Sequence, residues 1–301
     1  MNGRRIFPRE LPAEATDGDA RSFEDNLACL ERASQGAATT GERAVRAGLA
    51  SDRVAFAVIG GYEAAVAEML APRPAARVAF CVSETGGAHP RAIATRLIAN
   101  DDGVSYRLLG EKSFATLATH ADSYVVIASR GVTADGKNDL VAAIVEKGTP
   151  GVTVEPRPPL PFAPEIPHAR LVLENAWARE ILPGDGYERF VKPFRTVEDV
   201  RVTLAVVAYG VREARRFGWE ETALIAVADE LWAIADDRDP TDSATHVALD
   251  DALARAKDAL LALPWREAGA VGVRFERDRP ILDVASRARR ARAEKARGAI
   301  G

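Results

Sequence analysis

Between Val78 and Leu173 the chain runs as short β-prone segments in which apolar and polar residues alternate, and outside that stretch the apolar period is helical. The stretch opens on Val78-Ala-Phe-Cys-Val-Ser-Glu-Thr-Gly-Gly-Ala-His89. It continues through the segments Gly110–Tyr124 and Val141–Gly151 and closes at Ala169–Asn175. Gly, Asn and Pro separate the runs. Segments that are apolar on one face need partners to cover that face, so the pattern predicts consecutive strands of an antiparallel barrel or sandwich. Leu108, Val125, Val126, Ile127, Ile144 and Val145 are expected inside it.

The flanks divide the chain into three predicted regions. Residues 1–74 form a short helical region, 75–186 the barrel, and 187–301 a helical bundle. In the first, Met1 to Asp19 lacks any period and is expected to be a loose lead-in. Helices are expected over Phe23–Ala33, Glu42–Leu49 and Arg53–Leu70. Gly60-Gly61 interrupts the last of these, and Pro72-Arg-Pro74 forms a hinge.

In the third region, Leu182–Gly186 is a turn. Three apolar faces follow: Leu204, Val207, Ala208 and Val211; Leu224, Val227, Ala228, Leu231 and Ile234; Leu249, Leu253, Ala256, Leu260 and Leu263. Asp236–Asp242 is a polar loop, and Ile281–Lys295 is a basic fourth helix. Such amphipathic helices bury their stripes by packing as a four-helix bundle. The order helices, strands, helices is α+β.

A net charge of -4 carries no nucleic-acid or membrane signature. No apolar run approaches the ~20 residues of a transmembrane helix. Cys29 and Cys81 offer neither CxxC spacing nor a disulfide framework, and the first residues lack a signal-peptide pattern, so a cytoplasmic setting is expected. His89, His120, His168 and His246 are scattered without metal-ligand spacing. Gly110-Glu-Lys-Ser113 lacks the upstream glycine spacing of a P-loop and opens no helix. The basic run Arg287, Arg289, Arg290, Arg292, Lys295 and Arg297 is expected to be a solvated helix face, with nucleic acid or an anionic cofactor tail as the alternative.

Five pieces of the central stretch together resemble the acyl-CoA dehydrogenase family. They are the strand into Ser83-Glu84-x-Gly86, Gly110-x-Lys112-x-Phe114-x-Thr116, Ala121-Asp-x-Tyr-Val-Val126, Val145-Glu-Lys-Gly-Thr-Pro-Gly151 and Leu171-Val-Leu-Glu-Asn175. The similarity runs from Val78 to about Ala214. It implies an N-terminal helical region, a β-barrel and a C-terminal four-helix bundle. It further implies FAD bound between barrel and bundle, and an oligomer, homo- or heteromeric, formed through the bundle. The implied substrate is an acyl-CoA or acyl-carrier thioester, oxidised at its CH–CH bond.

Carried over residue by residue, the resemblance implies that Phe80, Val82 and Ser83 line the flavin, Phe114 covers its ring and Thr116 hydrogen-bonds its edge. His89 stands where the family has the serine that holds the pyrophosphate, and Pro90 where it has an aspartate. A histidine N–H can donate to phosphate. No residue takes the place of the family's proton-abstracting glutamate. In one branch of the family that position is Ser286 here, and in the other it is Val200, before Arg201. Neither side chain can remove a carbon-bound proton. Glu198, Asp199 and Asp283 lie nearby but out of register. The helical lead-in and the stretch after Gly218 are shorter than in the family.

Two readings follow: an acyl-CoA dehydrogenase-like flavoprotein without the usual glutamate, or a non-catalytic subunit or acyl-binding partner of a full-length member.

Overall fold

The computed structural model describes Phe7, residues 22–71 and residues 77–300. The Pro72–Pro74 hinge and, Phe7 aside, the lead-in expected over residues 1–19 lie outside the described residues. The chain divides into two compact units. One comprises Met1–Glu68, Leu160–Glu165 and Arg195–Gly301; the other comprises Met69–Pro159 and Ile166–Phe194.

In the helical unit, α1 (Phe23–Ser34) and α2 (Thr40–Ala50) both begin on side-chain caps. Ser22 accepts from the Asp25 N–H, and Thr39 accepts from the Glu42 N–H. α3 (Val54–Leu70) runs through Gly60-Gly61 without a break. The glycines are there for close approach. A Cβ on Gly60 would lie 2.4 Å from Ala47 Cβ of α2, and one on Gly61 2.5 Å from Val202 Cα. The expected interruption is therefore a packing seam, because tertiary contact outweighs the weak helix propensity of glycine.

The C-terminal helices are α4 (Lys192–Phe217), α5 (Thr222–Asp237), α6 (Ser243–Leu261), α7 (Ala270–Asp278) and α8 (Ser286–Ile300). The three predicted apolar faces meet in one core with Val45, Leu49 and Val54. Trp265 anchors it, stacked 3.8 Å from the Phe275 ring, its Nε1 donating to the Leu260 carbonyl. The expected helix over Ile281–Lys295 begins later. A 3₁₀ turn, Arg279–Asp283, is followed by Ala285 at φ 61°, and α8 starts at Ser286. The short α7 is an additional helix that the apolar pattern did not predict.

The second unit holds one eight-stranded sheet. Its strands are β1 (Val78–Cys81), β2 (Arg96–Ala99), β3 (Tyr106–Thr116), β4 (Ser123–Val132), β5 (Asn138–Glu146), β6 (Val152–Pro156), β7 (His168–Ala178) and β8 (Glu180–Leu182). The order is β6-β7-β3-β2-β4-β5-β8, with β1 joined to β4. Pairing is mostly antiparallel, but β1 and β2 both run parallel to β4.

The sheet must curl on itself. β7 pairs with β3 near one end of the order, β8 pairs with β5 at the other, and only Arg179 separates β7 from β8. Leu108, Val126 and Val145 enter a core with Tyr124, Leu171 and Leu173. Val125, Ile127 and Ile144 are buried as well, but strand alternation puts them on the other face. This sheet is thus covered on both sides along β4 and β5.

Candidate functional site

The turn between β1 and β2 is held by one carboxylate. Glu84 is 9% exposed and accepts from the Ala94 N–H at 2.7 Å, the Thr95 N–H at 3.1 Å and Lys112 Nζ at 2.7 Å. Lys112, on β3, is fully buried and also donates to the Ile127 carbonyl at 2.6 Å and the Val82 carbonyl at 3.3 Å. Burial alone would raise the Glu84 pKa; the adjacent ammonium and the hydrogen bonds outweigh it and hold it below the ordinary carboxylate value. Burial pulls the Lys112 pKa down, with Glu84 opposing. An ion pair satisfied on this many sides is the arrangement in which two charges can be held out of water.

This lock fixes the backbone that the resemblance singles out. Val82 gives its carbonyl to Lys112, and Ser83 accepts from the Ser113 N–H at 2.8 Å. Phe114 and Thr116 follow on the same strand. Phe114 is 41% exposed, a large fraction for an aromatic ring. One side of it lies against the His168 ring, 4.1 Å between centroids and 28° between planes, with the Arg157 guanidinium at 5.9 Å. Thr116 Oγ1 is 3.4 Å from His168 Nδ1. The β3–β7 register, which pairs Thr116 with His168, creates this cluster. Burial pushes the His168 pKa down to about 4, so the ring is neutral.

Val82, Ser83, Phe114 and Thr116 are therefore linked through Lys112, Ser113 and His168. Phe80 is buried on β1 and packs its ring 4.5 Å from that of Phe194. His89 sits at the exposed end of the turn and caps the 3₁₀ turn Pro90–Ala92, its Nδ1 accepting from the Arg91 N–H at 3.2 Å. With Nδ1 accepting, the ring proton resides on Nε2, which is left as a donor beside the exposed Arg91.

His168 and Ser113 are the members of this cluster that sequence reasoning missed. In sequence His168 is one of four scattered histidines, and no spacing rule joins residues 52 positions apart. Among the described residues no three His, Cys, Asp or Glu side chains converge as a metal site.

The flavin that the resemblance implies would need a flat apolar face and hydrogen-bond partners at its polar edge. Phe114 offers the first. Thr116 offers a hydroxyl, and the buried Ser113 Oγ has no partner among the described residues. These residues fit such a ring, and His89 Nε2 with Arg91 fits a phosphate.

The helical unit holds the carboxylates that neighbour the two family base positions in sequence. Val200 is buried on α4, and Ser286 opens α8. Asp199 is bound between Arg289 at 3.2 Å and Arg292 at 2.6 Å. Asp283 pairs with Lys257 at 2.5 Å. Glu198 is half-buried, and its pKa is pushed up to about 8, first by burial and then by the charge of Asp199. That direction favours its protonated form.

Residues 79–176 match the family described as acyl-CoA dehydrogenase, middle domain. The Bacillus subtilis (strain 168) protein named probable acyl-CoA dehydrogenase YngJ is 30% identical over 133 residues, covering 44% of this chain. That stretch is 33% of YngJ, so the match spans a third of the relative's length. Butyryl-CoA dehydrogenase from Megasphaera elsdenii superposes at TM-score 0.69 and 16% identity, over 91% of this chain and 88% of its own. The FAD complex of PigA superposes at TM-score 0.68 and 14% identity, over 93% of this chain and 90% of its own.

Proposed function

We propose that this chain, which has the fold of the acyl-CoA dehydrogenases and whose residues 79–176 match their middle domain, is a flavin-linked oxidoreductase acting on an acyl thioester. The observation that carries the reading is the half-exposed Phe114, backed by neutral His168 and followed by Thr116, on a strand locked by a buried ion pair. Such a wall is useful for holding a planar ring and costly to leave in water.

In this reading Phe114 covers the ring, the Thr116 and Ser113 hydroxyls hold its polar edge, and Val82 and Ser83 supply backbone groups. Phe80 supports β1 behind them, and His89 with Arg91 holds phosphate. Bound FAD would supply hydride-accepting capacity at the CH–CH bond of a CoA- or carrier-bound acyl group. The residues of this chain bind and orient. Val200 and Ser286 stand at the two family base positions, and neither side chain could take up an α-proton.

That substitution favours a second reading, a non-catalytic subunit or acyl-binding partner of a full-length dehydrogenase. Assembly through the C-terminal helices suits either reading. A cytoplasmic setting is supported by Cys29 and Cys81, both buried and neither in a disulfide among the described residues. No helix among the described residues is long and apolar enough to cross a membrane.

The absorption spectrum of the purified protein tests both readings. Flavin bands that bleach on addition of an acyl-CoA support the oxidoreductase. Bound flavin that does not bleach supports the second reading. Protein that stays colourless after incubation with FAD overturns the first.

A further inference from the structure

The helical unit contains a small cavity that neither reading above uses. Its volume is about 30 Å³, and Glu68, Thr196, Val200, Arg201, Ile234 and Thr245 contribute to its wall. Three polar side chains of this wall are more than nine-tenths buried: Thr196 at 2%, Arg201 at 4% and Thr245 at 1% exposure. Thr196 Oγ1, Arg201 Nη1 and Thr245 Oγ1 each lack a hydrogen-bond partner among the described residues.

The rest of Arg201 is fully engaged. Its Nε and Nη2 both reach Glu68 Oε2 at 2.7 Å, and Nε also reaches Thr40 Oγ1 at 3.1 Å. Nη1 passes so close to α2 that a Cβ on Gly41 would lie 3.3 Å from it. Glu68 therefore neutralises one side of the guanidinium, and Nη1 is the nitrogen left without a partner among the described residues. Arg238 adds a second positive charge to the wall.

Buried donors without partners are strongly disfavoured, and native proteins leave very few. Three of them around one hollow, from α4 and from α6 across the α5–α6 turn, define a recognition site with a stated preference. It requires acceptor oxygens, since Nη1 can only donate and both hydroxyls can turn to donate. It favours an ionised acceptor, because the unpartnered Nη1 belongs to a guanidinium, whose hydrogen bonds to carboxylate oxygens are the strong ones. One water needs roughly 10–15 Å³ on this measure, so the space suits about two to three non-hydrogen atoms.

We propose that this cavity binds a small carboxylate, of the size of formate or the carboxylate end of a larger ligand. One oxygen accepts from Arg201 Nη1, and the other from the hydroxyls of Thr196 and Thr245. Val197, Val200 and Ile234 supply the apolar side. The site lies wholly within the helical unit and does not depend on flavin binding.

The test is thermal unfolding against sodium formate, with sodium sulfate, too large for the cavity, as the matched salt. It compares the wild-type chain with the double variant Thr196→Val, Thr245→Val. Valine keeps the shape and removes only hydroxyls that are otherwise unsatisfied, so the variant is expected to fold. The wild type should show a saturable, formate-specific rise in melting temperature of a few degrees, and the variant should lose at least half of it. Equal responses in both proteins, or no saturable response in the wild type, would overturn the proposal. So would a crystal structure grown in formate with waters only between Arg201 and the threonines.

Discussion

Lys112 Nζ donates to Glu84 Oε1 at 2.7 Å, from a side chain with 0% exposure to a carboxylate with 7%. The pair ties β3 to the turn that follows β1, and so sets the relation between Val82-Ser83 and Ser113-Phe114. Removing one partner leaves the other charged and buried. Lys112→Met should therefore cost about 3–5 kcal/mol. Glu84→Gln, which keeps a carbonyl for Ala94 and Thr95, should cost less. The combination of both substitutions should be more stable than Lys112→Met alone. Urea unfolding of the three variants measures the coupling; additive effects would mean that the contact contributes nothing beyond packing.

Phe114 is expected to serve the ligand more than the fold. Phe114→Ala should weaken FAD binding about tenfold, the contribution of one aromatic contact. A flavin titration followed by fluorescence quenching gives that number. An affinity equal to wild type would remove Phe114 from the proposed wall.

His168 gives the sheet unit a pH dependence. Its pKa is about 4 in the folded chain and about 6.5 when unfolded. Between those values the unfolded state binds the additional proton, so stability falls as the pH drops through this window. His168→Gln should flatten the urea midpoint between pH 6.5 and 4. Proton NMR should show the wild-type ring still neutral at pH 5.

Glu198 acts in the opposite direction. Its folded pKa of about 8 lies above the ordinary carboxylate value, so the folded state holds the additional proton between about 4.5 and about 8. Stability from this group is greatest at low pH and declines as the pH rises through that range. Glu198→Gln should melt higher than wild type at pH 9 and nearly the same at pH 5.

The two glycines of α3 should reverse the usual helix ranking. Alanine is favoured over glycine in a helix by about 1 kcal/mol. Gly61→Ala nonetheless places Cβ 2.5 Å from Val202 Cα, and the backbone of α4 cannot yield cheaply. The variant should lose about 1–3 kcal/mol. Gly298→Ala on α8, where nothing lies within 4 Å, should gain about 0.5 kcal/mol. Chemical denaturation of both variants compares the signs directly.

What the sequence determined by itself was whatever has a local period or a short motif. The switch from helical spacing to alternation at Val78, and back after the Leu182–Gly186 turn, follows from 3.6-residue and two-residue repeats that each segment carries alone. The five motif pieces likewise marked the strands that carry Phe114 and Thr116. Tertiary structure decided the rest. Gly60-Gly61 reads as a break until α2 and α4 close on it. Glu84 and Lys112 belong to two separate motif pieces, and their role exists only once both leave water together. His168 reaches Phe114 and Thr116 through a strand register. Thr196, Arg201 and Thr245 meet around one cavity from helices that share no pattern. Burial and charge pairing depend on neighbours distant in sequence, and a repeat read along the chain contains no information about them.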